Sequence, residues 1–288
     1  MSVIPQLILN SIVAGAVYTM IALGFTLIFS VTKFFNLAHG ALAAVAGYIV
    51  FYTTQLLGWS LYAGICLGVV GAAGAGYGLY RFVFEPLRAR KASTMNLLVA
   101  SLGVFTVVQG LLAILFTSQF QSLSAALAEQ QVYTIAGATI TGVQLVTLGV
   151  GVLVIVGLAF TLKTTKYGKS VVAVSDDEEV ARVIGIDTRA VITRTFVIGS
   201  GIAGLAGILI GFDTGIEPTM GLPLLLKGVI ASIIGGMGSV YGAVFGAFLL
   251  GFVENFGIWH ISGEWKDTIA FSLLILFLIF KPRGIWAR

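Results

Sequence analysis

Long apolar runs recur from one end of the chain to the other, each close to the roughly 20 residues a helix needs to cross about 30 Å of hydrocarbon. They predict membrane-spanning helices at 7–30, 40–57, 60–80, 95–117, 142–162, 192–212 and 264–281. One Gly-rich run, 222–253, is long for a single crossing, and "GGMGS" at 235–239 interrupts it. The pattern there predicts two short helices meeting at a break, a Gly-broken or re-entrant segment. The expected fold is an all-α polytopic membrane protein of about eight transmembrane helices. Residues 1–288 form a single domain with no room for a separate soluble one.

Composition agrees with the pattern. With 58% hydrophobic residues and a mean hydropathy of +1.04, the 288-residue chain is too apolar for a soluble core of ordinary make-up. Its 37 glycines fit a membrane bundle, because small residues let helices approach closely. The stretches "GVVGAAGAGYG" (68–78) and "GSGIAGLAGILIG" (199–211) read as packing faces. The N-terminal "MSVIPQ" lacks a basic residue and precedes a run longer than a signal-peptide core, which predicts a retained first span. The lone Cys66 falls within a span and is assigned to packing.

Charge orients the chain. Of the 16 Lys and Arg, four lie in "RFVFEPLRARK", six between Lys163 and Arg194 and three in "KPRGIWAR". By the excess of cationic residues in cytoplasmic loops, these segments face the cytoplasm. The stretches 53–60, 117–131 and 211–221 contain neither residue and face outward. Counting crossings puts the N-terminus outside and the C-terminus inside, provided the broken 222–253 segment returns to the side it entered from. The net charge of +4 is therefore a loop bias and not a nucleic-acid surface.

The loop 163–194 contains "KYGKSVVAVSDDEEVARVIGID", with eight charged side chains in a chain that is only 10% charged. Val180, Val183 and Ile184 recur at helical spacing after Asp177, Glu178 and Glu179, and Gly185 follows. Acidic residues at the start and a glycine at the stop are what a short amphipathic helix prefers. Its apolar face has nothing within the loop to cover it, so a partner at the cytoplasmic surface is expected. "GKS" at 168–170 is no phosphate loop, because Lys163 occupies the position of the required first glycine. His39 and His260 are the two histidines, and neither sits in a metal or hydrolase spacing, so no catalytic residue and no metal ligand is expected.

Glu179, Ala181 and Gly185 stand in the spacing E-x-A-x-x-x-G, which resembles the coupling-loop signature of ABC importer permeases, with Val180 where Ala is usual. Around it, "VYTMIALGFTLIFSVTKFFNLAHG" (17–40), "IAGLAGILIG" (202–211), "IIGGMGSVYGAVFGAFLLGFVEN" (233–255) and "KPRG" (281–284) are similar, in order, to the branched-chain amino-acid permease family of the LivH type. The resemblance covers essentially the whole chain. It implies a transport subunit of a prokaryotic inner membrane, paired with a second permease, a paralogue of this chain, and served by two cytoplasmic ATPases and an external solute-binding protein. ATP and Mg would belong to the ATPases, and no cofactor to this chain. Asp177, Glu178, Glu179, Ala181, Ile184 and Gly185 would couple to the ATPases. The solute would be a branched-chain or other neutral amino acid, with urea, short amides or acidic amino acids as alternatives within the family.

Two stretches are candidates for the solute pathway: Phe35, Asn36, His39 and Gly40 before the second span, and Gly235, Gly236, Met237 and Gly238 at the break. Broken helices in transporters aim N-terminal amides at polar solutes, and Phe34, Phe35 and Met237 offer apolar contact. Asn36 and His39 serve equally well as caps of the second span, and the glycines as close-packing residues. Lys227 is expected to snorkel outward, Glu254 and Asn255 to anchor at the interface, and Asp213 and Glu217 to lie in an outward loop. An ion-driven carrier or channel, the alternative of a different class, normally needs ionisable residues in the membrane interior, and none is expected there. With Cys66 replaced by Ser, Gln121→Cys is expected to react with an impermeant thiol reagent added from outside, whereas Ser175→Cys stays unlabelled; labelling at 175 overturns the orientation.

Overall fold

The computed structural model describes residues 3–123, 131–135, 137–259, 261–282 and 284–286. It is an all-α polytopic membrane fold with one small hairpin. The helices are α1 (Val3–Thr32), α2 (Ala38–Phe51), α3 (Leu61–Leu79), α4 (Glu85–Ala89), α5 (Thr94–Phe116), α6 (Gly142–Thr164), α7 (Lys166–Asp176), α8 (Glu178–Val183), α9 (Thr188–Asp213), α10 (Gly221–Gly235), α11 (Val240–Gly257) and α12 (Lys266–Phe280). Six are long and apolar enough to cross a membrane, taking α3 with its extension through Ala89 as one. The expected spans at 40–57 and 264–281 are shorter helices, α2, prolonged by a π-helical turn at Tyr52–Leu56, and α12. The expected count of eight full crossings is therefore not reproduced as eight long helices.

Two departures from the hydropathy pattern have local causes. "RFVFEPLRARK" is helical to Ala89 and not a loop, because a π-helical turn at Tyr80–Phe84 leads into α4, where Pro86 sits in the first turn and needs no amide partner. Residues 132–135 and 138–141, where no apolar run predicts a helix, pair as an antiparallel hairpin, β1 (Val132–Ile135) against β2 (Ala138–Thr141), with Val132 opposite Thr141. The Gln6 side chain accepts from the Thr139 amide at 2.8 Å and ties this hairpin to α1. Residues 124–130 of the expected outward loop, and His260, lie outside the described residues.

Helix α1 is the axis of the bundle, buried along most of its 30 residues and packed by α6, α9, α10 and α11. The glycine faces work as expected. A Cβ at Gly207 would lie 2.1 Å from the Ala43 carbonyl oxygen, and one at Gly246 would lie 2.0 Å from that of Ala231, so α9–α2 and α11–α10 meet backbone to backbone. Cys66 departs from expectation: it lies on the outward face of α3, exposed, while Gly64 and Gly68 on the same helix do the packing.

The larger correction concerns charge. Lys227 does not snorkel outward, and Glu254 is fully buried (0% exposed) instead of anchoring at an interface. Because α10 and α11 form an antiparallel pair, Lys227 Nζ meets Glu254 Oε1 at 2.5 Å, and the start of α12 brings Asp267 Oδ1 to 2.8 Å. The Tyr18 hydroxyl of α1 donates to Glu254 Oε2 at 2.7 Å. Four helices thus share one charged cluster, which runs from the buried Glu254 through Lys227 to the exposed Asp267, where no ionisable group was expected in the bundle. Removing Lys227 strands the fully buried Glu254 carboxylate, at a cost of about 3 to 5 kcal/mol, whereas removing Glu254 leaves Lys227 its second partner Asp267 and costs less. Lys227→Met and Glu254→Leu are each expected to lower folded yield and thermal midpoint in detergent, and the double variant to recover part of the loss. Equal melting of all four proteins would contradict this.

Candidate functional site

The charged loop is more ordered than a single short helix. It holds two helices, α7 and α8, meeting at Asp177. Thr165 caps α7, accepting from the Gly168 amide at 3.0 Å. Gly168 is where α7 turns back on α6, since a Cβ there would lie 2.3 Å from the Thr161 carbonyl oxygen; close packing, and not phosphate binding, accounts for the glycine of "GKS". The apolar face of α7 is covered by the bundle, with Val171 and Val174 buried and the Tyr167 hydroxyl 2.9 Å from Thr195 Oγ1 on α9. Burial pushes the Tyr167 phenol above its ordinary range.

Asp177 starts α8, its Oδ1 accepting from the amides of Glu179 (2.8 Å) and Val180 (3.0 Å). Gly185 ends it at φ +89°, a left-handed conformation that costs a glycine little, and the Ile186 amide closes the end on the Ala181 carbonyl at 3.0 Å. Ala181 is buried beneath the helix, whereas Val180, Val183 and Ile184 are exposed, Val183 to 86%. Glu178 is neither cap nor surface charge: it pairs with Arg88 of α4 at 2.5 Å and with Arg182 at 3.2 Å. Glu85 pairs with Arg81 at 2.7 Å and with Arg189 at the start of α9. The ends of α4, α8 and α9 are thereby joined by ion pairs. Sequence reasoning missed the roles of Glu85, Arg88 and Arg189, having read all three as parts of cytoplasmic loops. The available signal was Glu85 four residues after Arg81, the spacing of a helical ion pair.

The first pathway candidate lies deep. Residues 33–37 run back from the end of α1, so that α2 begins beside the middle of the bundle. A Cβ at Gly24 would lie 2.8 Å from His39 Nε2, which places His39 about 12 Å inside the end of α1 at Thr32, eight residues of helical rise. The irregular backbone is met by Ser101 of α5, whose hydroxyl accepts from the Leu37 amide at 3.1 Å and reaches the Phe35 carbonyl at 3.3 Å. Leu37 is the N-cap of α2, with no side-chain cap. Capping therefore does not explain Asn36 and His39: both are buried, and no polar atom of either side chain has a hydrogen-bond partner among the described residues. Gly40 touches the start of α10, where a Cβ would lie 2.2 Å from the Gly221 carbonyl oxygen. Phe34 packs on Phe84 and Phe35 on Phe25 and Phe29, so the two rings face different sides.

The second candidate lies at the other end of α10, fourteen residues and about 21 Å from Gly221. Here Gly236 (φ +110°) and Gly238 (φ +88°) make the turn, and Ser239 caps α11. Gly235 and Gly242 touch: a Cβ on Gly235 would lie 1.9 Å from the Gly242 carbonyl oxygen, and one on Gly242 2.3 Å from that of Gly235. The C-terminal tail seals the turn, the Ile285 and Trp286 amides donating to the Ile234 and Gly235 carbonyls at 3.0 and 2.9 Å. Met237 and Gly238 border a cavity of about 790 Å³ at the Lys- and Arg-rich end, and none of Phe35, Asn36, His39 and Gly40 does. The two stretches are not brought together.

Comparison with known proteins matches residues 7–278 to the family described as branched-chain amino acid transport system, permease component. A high-affinity branched-chain amino acid transport system permease protein of Escherichia coli K12, LivH, is 31% identical, over 98% of this chain and 95% of its own. Its counterpart BraD from Pseudomonas aeruginosa is 29% identical over the same shares. Among solved structures, PsaBC from Streptococcus pneumoniae in complex with Fab resembles the fold with a TM-score of 0.52 at 14% identity, over 99% of this chain and 94% of that one.

Replacing the cap residue in Asp177→Ala removes the acceptor of two amides and weakens α8 by about 1 kcal/mol. The expected readout is several-fold faster hydrogen exchange at Glu179 and Val180 with α9 unchanged; unaltered exchange there would deny the cap its role.

Proposed function

This chain belongs to the branched-chain amino acid permease family, and we propose that it forms one half of the membrane pore of an ATP-driven, binding-protein-dependent amino-acid importer. It is a multi-pass membrane transport subunit and not an enzyme. In this reading the Lys- and Arg-rich end faces the cytoplasm of a prokaryotic cell and the bilayer is its inner membrane. A second permease, a paralogue, completes the pore. Two ATPases carry ATP and Mg, and a solute-binding protein docks at the opposite end. Branched-chain or other neutral amino acids are the solute, ahead of urea, short amides or acidic amino acids.

One observation carries this reading: α8 is fixed at both ends, yet turns Val180, Val183 and Ile184 away from its own chain. A helix so held loses little entropy on docking. Its ties through Glu178 to Arg88, and from Glu85 to Arg189, pass a push on α8 to α4 and α9 as a rigid-body movement of packed elements. The cytoplasmic ATPase supplies the push.

For the solute we favour the deep site. Asn36 and His39 offer unmet polar atoms where the N-termini of α2 and α10 meet, and such half-helix ends suit a carboxylate. Gly235, Gly236, Met237 and Gly238 then serve as the rigid turn closing the cytoplasmic end. The carrier alternative gains Lys227 and Glu254, but these neutralise each other within one cluster.

Val183→Glu places a charge on an exposed position without disturbing the fold, and Gly185→Asp forces a side chain into the left-handed conformation. Both are expected to cut uptake in proteoliposomes at least ten-fold and to release the ATPase on purification, with solute affinity of the binding protein unchanged. Full uptake with the ATPase retained in both variants would end the coupling assignment.

A further inference from the structure

The 790 Å³ cavity is used by nothing described above. It lies between the ends of α1 and α6, the helix α7 and the turn from α10 to α11. Its wall is graded along the axes of α1 and α6. Lys33, just past α1, and Lys163, in the last turn of α6, stand at the rim, and neither has an ion-pair partner among the described residues. Leu27 and Ala159 line the deeper part, about 9 Å and 6 Å of helical rise further in, and the hydroxyls of Thr26 and Ser30 beside them are spent on Ser232 and the Leu27 carbonyl. Tyr241 and Trp286 border the rim, both exposed, as aromatic residues do at the headgroup level. The outward face of α6 is apolar, with Leu153, Val156 and Phe160 exposed. Cationic rim, aromatic border and apolar depth match an amphiphile entering from the bilayer with its head outward.

We propose that this cavity binds an anionic phospholipid of the cytoplasmic leaflet, its phosphate between Lys33 and Lys163 and the upper part of an acyl chain against Leu27 and Ala159. An amino-acid solute fits less well: it could set its two charges against Lys163 and Asp176 at the rim, but it would leave the apolar wall at Leu27 and Ala159, which an acyl chain covers, unfilled. Asp176 also stands at the rim, leaving one net positive charge among the described lining residues; that selects a net-negative headgroup over a zwitterionic one. Since Asp176 and Val172 belong to α7, a bound lipid touches the helix that precedes the coupling helix. Binding itself does not depend on the proposed function; only its effect on transport does.

The test uses the full chain, purified in mild detergent, stripped of lipid and titrated in native mass spectrometry with phosphatidylglycerol, phosphatidylethanolamine or phosphatidylcholine. Phosphatidylglycerol is expected to be retained best, and Lys33→Gln and Lys163→Gln each to reduce its retention about five-fold, the contribution of one basic residue near headgroups. Ala159→Phe, which fills the cavity with both lysines intact, is expected to reduce it as well. Circular dichroism of each variant keeps loss of fold distinguishable from loss of lipid. Equal retention of the three lipids, preference for phosphatidylethanolamine, or wild-type retention in all variants overturns the site. So does displacement of phosphatidylglycerol by millimolar inorganic phosphate or leucine, which would reassign the cavity to a soluble anion or to solute. If retention behaves as expected but uptake in proteoliposomes is equal with and without phosphatidylglycerol, the lipid site stands and its link to transport falls.

Discussion

Backbone that leaves the helix inside a bilayer has no water to turn to, and the stretch from Lys33 to Leu37, which leads into α2, is where this chain meets that constraint. Ser101 supplies partners for Phe35 and Leu37, and two glycines let the starts of α2 and α10 touch. Much of the bundle follows from this meeting. Because α2 begins deep, its small residues lie against Gly207 of α9 and Gly68 of α3. Because α10 begins beside it and runs alongside α1, Ser232 reaches Thr26 at 2.9 Å, and the return helix α11 brings Glu254 to Lys227.

The two ends of the bundle are built by different forces. Toward Lys227, a charged cluster joins α1, α10, α11 and α12; the surroundings make the pairing of Lys227 with buried Glu254 strong and its loss costly, while Asp267 of α12 meets it from the exposed side. Toward Arg88 the pairs are partly solvated and individually weak. Their value there is geometric: they hold the ends of α4, α8 and α9 in one arrangement while α8 keeps its apolar face free. A surface helix held this way transmits force without needing a stable contact of its own.

Much of this was legible in the chain. The apolar runs locate α1, α3, α5, α6, α9 and α11 to within a few residues, apart from the helical extension past Leu79. Asp177, Val180, Val183 and Gly185 announced a helix with its start, exposed face and stop, because caps and helical faces are set by neighbours within four residues. Asn36 and His39 were visible as polar residues in an apolar setting, yet whether they capped α2 or stood unpaired could not be read, since that depends on where the preceding five residues carry the chain.

What the sequence by itself determined is the membrane class, the helical segments, the basic end and the local shape of α8, all properties of short windows of side chains. The tertiary structure alone decided the fate of Lys227 and Glu254, the pairing of Arg88 with Glu178, the separation of the two glycine-rich candidates along α10, and the cavity beside Lys33 and Lys163. Each of these depends on which helices become neighbours across tens to hundreds of residues. A lysine reads the same in sequence whether it faces lipid or a carboxylate 27 residues away; only packing, which sets the partner and excludes the solvent, distinguishes the two.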